Sequence, residues 1–394
     1  MIGSGIYLSP GEAAVAGPYS LVAWLLVGIL MMPIALSYAR FGSTITRTGG
    51  PYEYVRESMG DSWALLTGIG FWIAYIVVIA TLGRALSRYA AYIIPLAGLW
   101  PWPAVIAIAA IWLITLANIL GVRYGGLLND CVTLVKVASL LTFTLLLIPW
   151  IRLEYLRPEG RVSWNSMATA FSAVLWAYLG FEAISPPSEE IIKPEKSVPR
   201  STIYSMIIVM LIYLTVSVAA IGGVSAPSLA SSKAPLAYAL AYFYGDEAGR
   251  VMFVAATISI FGCLAATILP NARVAYALAR DGYLPRWITS LNSRGAPASA
   301  LVVQATLASI LALIYGFVKL YPLSDLTSLV PYLTVTLALL LQDKDARWRM
   351  IGLLGLLASL YLMYATIEAE VESLLGLAVI LAITVVASIV RRTD

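Results

Sequence analysis

The residues of this chain best suited to chemistry are few and lie in apolar surroundings. They are Lys136, Glu182 and the backbone of two glycine-interrupted stretches, Met1-Ile2-Gly3-Ser4-Gly5-Ile6 and Trp176-Ala177-Tyr178-Leu179-Gly180-Phe181-Glu182. An ammonium or carboxylate at membrane depth is expensive and marks a function or a partner. A broken helix frees N–H groups on one side and C=O groups on the other, and lipid satisfies neither, so ligand or water must. A zwitterion supplies both partners. The chemistry on offer is therefore binding and charge movement rather than bond making. His is absent, which removes the commonest acid–base group and metal ligand and makes a zinc site or a serine–histidine triad untenable. Cys131 and Cys263 lie inside apolar segments and read as small packing residues. The sequence thus points to no enzyme, no cofactor and no metal.

The elements that must position these groups are membrane spans. Of the 394 residues, 60% are hydrophobic and only 12% charged, and the mean hydropathy is +0.87; soluble domains carry roughly 25% charged residues. A net charge of +4, spread over loops, gives no nucleic-acid face. Spanning helices need about 20 apolar residues, and the apolar runs predict an all-α membrane protein of twelve segments in a single domain. The first, over 2–17, is too short to cross alone. The others fall at 21–39, 63–81 (ended by Arg84 and Arg88), 103–120, 127–150 (with Lys136 inside), 166–185 (broken), 201–224, 251–279, 298–317, 323–341, 350–367 and 374–390. The proline- and charge-rich loop at 186–200 stops any helix there. An amphipathic stretch at 234–244 is too short to span and reads as a surface helix. With the 40–61 loop placed inside, roughly 16 basic residues fall on that side against about 8 on the other, which predicts cytoplasmic N- and C-termini in a multi-pass cell-membrane protein.

Segments one and six are both glycine-interrupted, and each begins a set of five. An odd number of spans per set inverts the second copy, so the organisation predicts a 5+5 inverted repeat: about 1–150, then about 163–342, with two extra helices over about 349–390. Inverted repeats led by discontinuous helices point to a secondary transporter with its site at the midplane.

Four motifs carry a family resemblance over nearly the whole chain. Gly3-Ser4-Gly5-Ile6 with Pro10, then Ala35 to Arg40 and Gly49-Gly50-Pro51-Tyr52-Glu53-Tyr54, resemble the first two spans and first inner loop of the amino acid-polyamine-organocation permeases. Trp176 to Glu182 followed by Glu189-Glu190, Pro194 and Pro199 resembles that family's sixth span and exit loop, and Arg273 to Pro285 the end of its eighth. The resemblance implies the LeuT-type fold and transport of amino acids or related amines. It implies that the N–H groups of Gly3, Ser4 and Gly5, at the positive end of a half-helix, hold the substrate carboxylate. The carbonyls of Ile2, Trp176, Ala177 and Glu182 then take the ammonium, Trp176 is a lid, Tyr178 lines the cavity, and Gly180 allows close approach. Leu179 replaces a smaller residue of relatives and narrows the pocket against large side chains.

The run from Asn129 to Lys136 resembles the family's fifth span, where a lysine stands at the sodium position of related transporters. Lys136 is then a tethered cation that replaces Na⁺ or exchanges a proton, and Asp130 or Glu182 is its candidate partner. The expectation is a small or neutral amino acid carried with a proton, with sodium as the other coupling ion; an amino acid or amine exchanger is the nearest rival, and a channel or a non-transporting scaffold the rival from another class. Relatives carry a half-helix before the first glycine break, so the native N-terminus is expected to be longer, with the first half of helix one missing here.

Overall fold

The computed structural model describes residues 1–121, 126–158 and 160–393, without the side chains of 126–131, 190 and 390–393. The described residues are helical throughout, with no strand among them. In chain order the helices are α1 (Ser4–Ala13), a 3-10 stretch (Ala14–Tyr19), α2 (Ser20–Gly42), α3 (Pro51–Met59), α4 (Asp61–Ile93), α5 (Trp102–Ile119), α6 (Gly126–Leu147) and α7 (Trp164–Tyr178). They continue as α8 (Pro194–Gly223), α9 (Pro235–Tyr244), α10 (Asp246–Arg280), α11 (Ala298–Ile314), α12 (Phe317–Gln342), α13 (Ala346–Ala369) and α14 (Leu374–Thr393), joined by shorter turns. Among the described residues, ten stretches are long and apolar enough to cross a membrane. One of them, Ser4–Gly42, joins α1 and α2 across a kink at Gly17, and the shorter apolar α11 stands beside the ten, so each of the twelve expected segments has its helix.

The bundle is organised around α4, buried through most of the stretch from Ala64 to Tyr89 and packed on α12, α10 and α5. Outward faces are apolar instead of polar: Leu25 and Ile29 of α2, Leu145 of α6 and Val386 of α14 are exposed, as a lipid environment requires. The helix α9 is too short to span and buries Leu236, Ala237 and Leu240 against α10, leaving Tyr242 and Tyr244 exposed.

Two expected boundaries are corrected. Arg84 and Arg88 do not end the third span, because α4 runs on to Ile93. Arg88 is satisfied inside the protein, by Glu12 at 2.5 Å and by the face of Phe317, 5.4 Å from the ring centre. Nor does the proline-rich loop last to residue 200, since α8 begins at Pro194. Proline at the first helical position gives up an N–H that has no partner there anyway, so it starts a helix as readily as it stops one.

Candidate substrate site at the two helix breaks

The two interrupted segments meet. Helix α1 starts at Ser4 with Gly3 non-helical and no side-chain cap, which leaves its first-turn N–H groups without intrahelical acceptors. Helix α7 ends at Tyr178. Leu179 is extended, Gly180 takes φ 107°, and one 3-10 turn, Phe181–Ile184, follows. A left-handed φ of that size suits glycine alone. At Gly5 the reason for glycine is proximity: a Cβ there would fall on the backbone of Ala177. The two breaks are therefore in backbone contact, with no side chain between them.

Beside this crossing lies a small cavity of about 30 Å³. Gly3, Ser4, Gly5, Trp176, Gly180 and Glu182 line it, together with Met1 and Leu179. Sequence reasoning missed the far wall, made by Tyr75, Val78 and Leu82 of α4, and gave Cys263 of α10 only a packing role; Thr267 of α10 completes that wall. The Trp176 indole N–H donates to Ser4 Oγ at 3.2 Å, and the ring meets Phe317 edge-on with centroids 6.4 Å apart. The indole thus ties α7 to α1 across the cavity and abuts the residue on which Arg88 rests.

Several expectations need correction. Tyr178 does not line the cavity: its hydroxyl donates to the Trp24 carbonyl at 3.2 Å, and its ring packs on Trp24 and Tyr213. Residues two apart on a helix point about 200° apart, so with Trp176 toward the cavity Tyr178 must face α2. Ala177 and Ile2 are also absent from the lining; Ala177 supports the crossing beneath Gly5, and Ile2 packs against the core. The Glu182 carbonyl is already taken by the N–H and Oγ of Ser185, at 3.0 and 2.8 Å.

The Glu182 carboxylate is buried and accepts from the Tyr75 hydroxyl at 2.8 Å and from the Gly180 N–H at 3.0 Å. The Gly180 N–H has thereby left the helical partner it would have in an unbroken helix, the Trp176 carbonyl. The expected pairing of Glu182 with Lys136 is not formed. Lys136 is 9% exposed and points from α6 at Gly262 of α10, where a Cβ would sit 3.4 Å from its Nζ. Cys263 follows and abuts Gly3. Lys136 therefore lies one layer behind the cavity wall, with no ion pair among the described residues. The Asp130 and Cys131 side chains lie outside the described residues.

At one end of the bundle the site is closed by polar ties. Tyr52 and Arg56 of α3 both donate to Asp281 Oδ2 at 2.7 Å, and Arg280 donates to Glu53 at 2.9 Å. The Gly49 N–H donates to the Pro186 carbonyl at 3.1 Å, and the Thr48 N–H to Glu189 Oε1 at 3.0 Å. That last bond holds the Glu189 carboxyl below the ordinary glutamate range. Glu189→Gln is expected to cost under about 1 kcal/mol at neutral pH, since the group is exposed. A depressed folded pKa gives stability that is present above the unfolded value and lost as pH falls through the folded one. Thermal unfolding in detergent from neutral pH to about pH 3 checks this; a difference between the two proteins that persists in acid contradicts it.

Residues 1–389 match the amino acid permease family. The serine/threonine exchanger SteT of Bacillus subtilis (strain 168) is 30% identical over 364 residues, 88% of this chain and 81% of that protein. The putrescine transporter PotE of Haemophilus influenzae is 24% identical over 397 residues, 95% of this chain and 90% of that one. The crystal structure of MhsT in complex with L-phenylalanine matches with a TM-score of 0.65 at 12% identity, over 93% of this chain and 96% of the other. That likeness shows the fold, a LeuT-type bundle of about twelve spans whose first and sixth are interrupted.

Proposed function

The chain belongs to the amino acid permease family, and from that premise we propose that it carries small or neutral amino acids with a proton by alternating access. The observation carrying this reading is that one cavity is bordered both by Gly3, Ser4 and Gly5, ahead of and within the first turn of α1, and by Trp176 and Gly180 on the two sides of the break in α7. The N–H groups of the first set receive the substrate carboxylate. The ammonium goes to the Trp176 carbonyl, freed at the break in α7 on the cavity wall; Ile2 and Ala177, which do not line the cavity, are left out of that role. Leu179 and Trp176 crowd the space left for a side chain, which favours small substrates. Residues 1–150 and 163–342 act as two repeats, with 349–390 appended, and the bundle led by α1 and α7 rocks about the site. The termini lie on the cytoplasmic side of the cell membrane, in keeping with the bias of basic loops.

Lys136 is the coupling group in this reading, with Glu182 holding the break. Uptake of radiolabelled serine, threonine and alanine into proteoliposomes, with and without an inward proton gradient, tests it. Uptake is expected to rise with the gradient and Lys136→Ala to remove that rise. Uptake indifferent to both the gradient and the substitution would sink proton coupling. The 30% identity with a serine/threonine exchanger favours one second reading, obligatory exchange, which predicts uptake only into vesicles preloaded with amino acid.

A further inference from the structure

Helix α12 carries polar groups that the site described above does not use. Phe317, Tyr321, Asp325, Ser328 and Tyr332 recur at three- and four-residue spacing and fall on one face. All are buried, and Phe317 at one end touches Trp176. Asp325 is fully buried at membrane depth. Its Oδ2 accepts from Ser172 Oγ of α7 at 2.7 Å, while Oδ1 has no hydrogen-bond partner. One turn on, the Ser328 hydroxyl is also without a partner, and a further turn on the Tyr332 hydroxyl is directed at the Glu182 carboxylate. The Tyr332 ring stacks on Phe181, centroids 5.4 Å apart, which sets it beside Glu182, the next residue and part of the cavity wall.

Asp325 Oδ1 and the Ser328 hydroxyl, one turn apart on one helix face, are both unpartnered, and each buried polar group left so costs about 1–3 kcal/mol. Among the described residues no cation pairs with the carboxylate. On the elements packed against α12, Arg88 of α4 is paired with Glu12, Arg40 of α2 with Asp343, and Arg56 of α3 with Asp281. Lys319 of α12 itself is paired with Glu370 and Glu372. Arg84 of α4, whose Nη1 is itself without a hydrogen-bond partner, makes no ion pair with Asp325 among the described residues. On α13, Tyr364 stacks on Trp164 and Tyr361 meets it edge-on, and α7 presents the neutral Ser172. Tyr75 is committed to Glu182, and Tyr321 lies one turn away on the same helix.

We infer that Asp325 is a second proton-holding site, reached from the cavity along Glu182, Tyr332 and Ser328, and that its proton moves with the substrate. The proton enters from cavity water, becomes an O–H on Asp325 Oδ1, and leaves by the same stripe when the site opens to the other side. Water bridging Asp325, Ser328 and Tyr332 completes the path. The Ser172 bond ties this site to α7, so the charge on Asp325 bears directly on a helix that forms the substrate cavity. The inference rests on the proposed proton coupling.

The test compares two modes of uptake of radiolabelled serine by full-length protein in proteoliposomes. One is accumulation driven by a proton gradient; the other is counterflow into serine-loaded vesicles at equal pH, which needs no net proton movement. Asp325→Asn is expected to lower gradient-driven accumulation roughly tenfold or more while counterflow persists. Wild-type uptake that ignores the gradient overturns the coupling reading itself. A responsive wild type with an equally responsive Asp325→Asn variant overturns this inference alone, as does a folded variant that loses both modes, which assigns Asp325 a purely structural role. Tyr332→Phe removes a single hydroxyl from the path and serves if Asp325→Asn does not fold. It is expected to slow gradient-driven uptake with counterflow unchanged, and equal rates in both modes overturn the proposal. Replacing the proton gradient by a sodium gradient is expected to leave accumulation at background; sodium-driven accumulation abolished by Asp325→Asn would make Asp325 a cation ligand instead and overturn the proposal.

Discussion

Gly5→Ala is expected to reduce uptake to background, although it adds one methyl group to a helix and improves intrinsic helix propensity by about 1 kcal/mol. The added Cβ would fall on Ala177 backbone, and backbone, unlike the tip of a long side chain, cannot swing aside. The crossing of α1 and α7 must open, which costs about 1–3 kcal/mol by overpacking and displaces the donors and acceptors that frame the cavity. Gly316→Ala is the matched control. Gly316 has φ −85° and ψ 172°, extended backbone that any residue adopts, and a Cβ placed there would meet only the tip of Arg84, at an ordinary 3.6 Å. Uptake near wild type from Gly316→Ala, with none from Gly5→Ala, assigns the loss to the crossing. Full uptake by Gly5→Ala would show that the breaks do not need backbone contact. Thermal unfolding of both variants in detergent separates loss of fold from loss of the site.

How much of this was legible in the chain depends on whether the deciding neighbour was local. Apolar runs located every span, because lipid imposes its requirement on each segment separately. Gly3 and Gly180 could be read as breaks, and Gly5 as a point of close approach, for the same reason: a glycine between apolar runs signals backbone need wherever the partner lies. Arg84 and Arg88 were read as a helix end because Glu12 and Phe317, which satisfy Arg88, are remote in sequence. Tyr75 gave no signal at all. A tyrosine within an apolar run looks alike whether it meets the membrane interface, a core or a carboxylate such as Glu182. Tyr178 is the instructive case, since helix geometry alone sets it opposite Trp176; the motif that joins the two in sequence concealed that they serve different walls. Lys136 was conspicuous as a membrane charge, but its position one layer behind Gly262 and Cys263 could only be seen with α6 and α10 packed together.

Glu182→Ala is the second substitution expected to abolish transport, and it also separates two roles for this carboxylate. Removing the side chain strands two donors, the Gly180 N–H and the Tyr75 hydroxyl. At about 1–3 kcal/mol for each stranded group, the loss is roughly 2–6 kcal/mol, comparable with the whole margin by which many proteins stay folded. Tyr75→Phe removes only one donor and leaves the Gly180 bond in place, so it is expected to cost much less than Glu182→Ala. Glu182→Gln keeps one carbonyl oxygen for one donor but presents an amide N–H₂ to the other, and should fall between them. If Glu182 acts by holding the break, stability and uptake decline together in the order Tyr75→Phe, Glu182→Gln, Glu182→Ala, whether or not a proton gradient is applied. If it acts by carrying the coupling proton, Glu182→Gln keeps most of its stability and loses the response to the gradient. Unfolding temperatures and paired uptake measurements on the three variants distinguish these patterns, because a structural tie and a proton carrier fail differently when only the proton is removed.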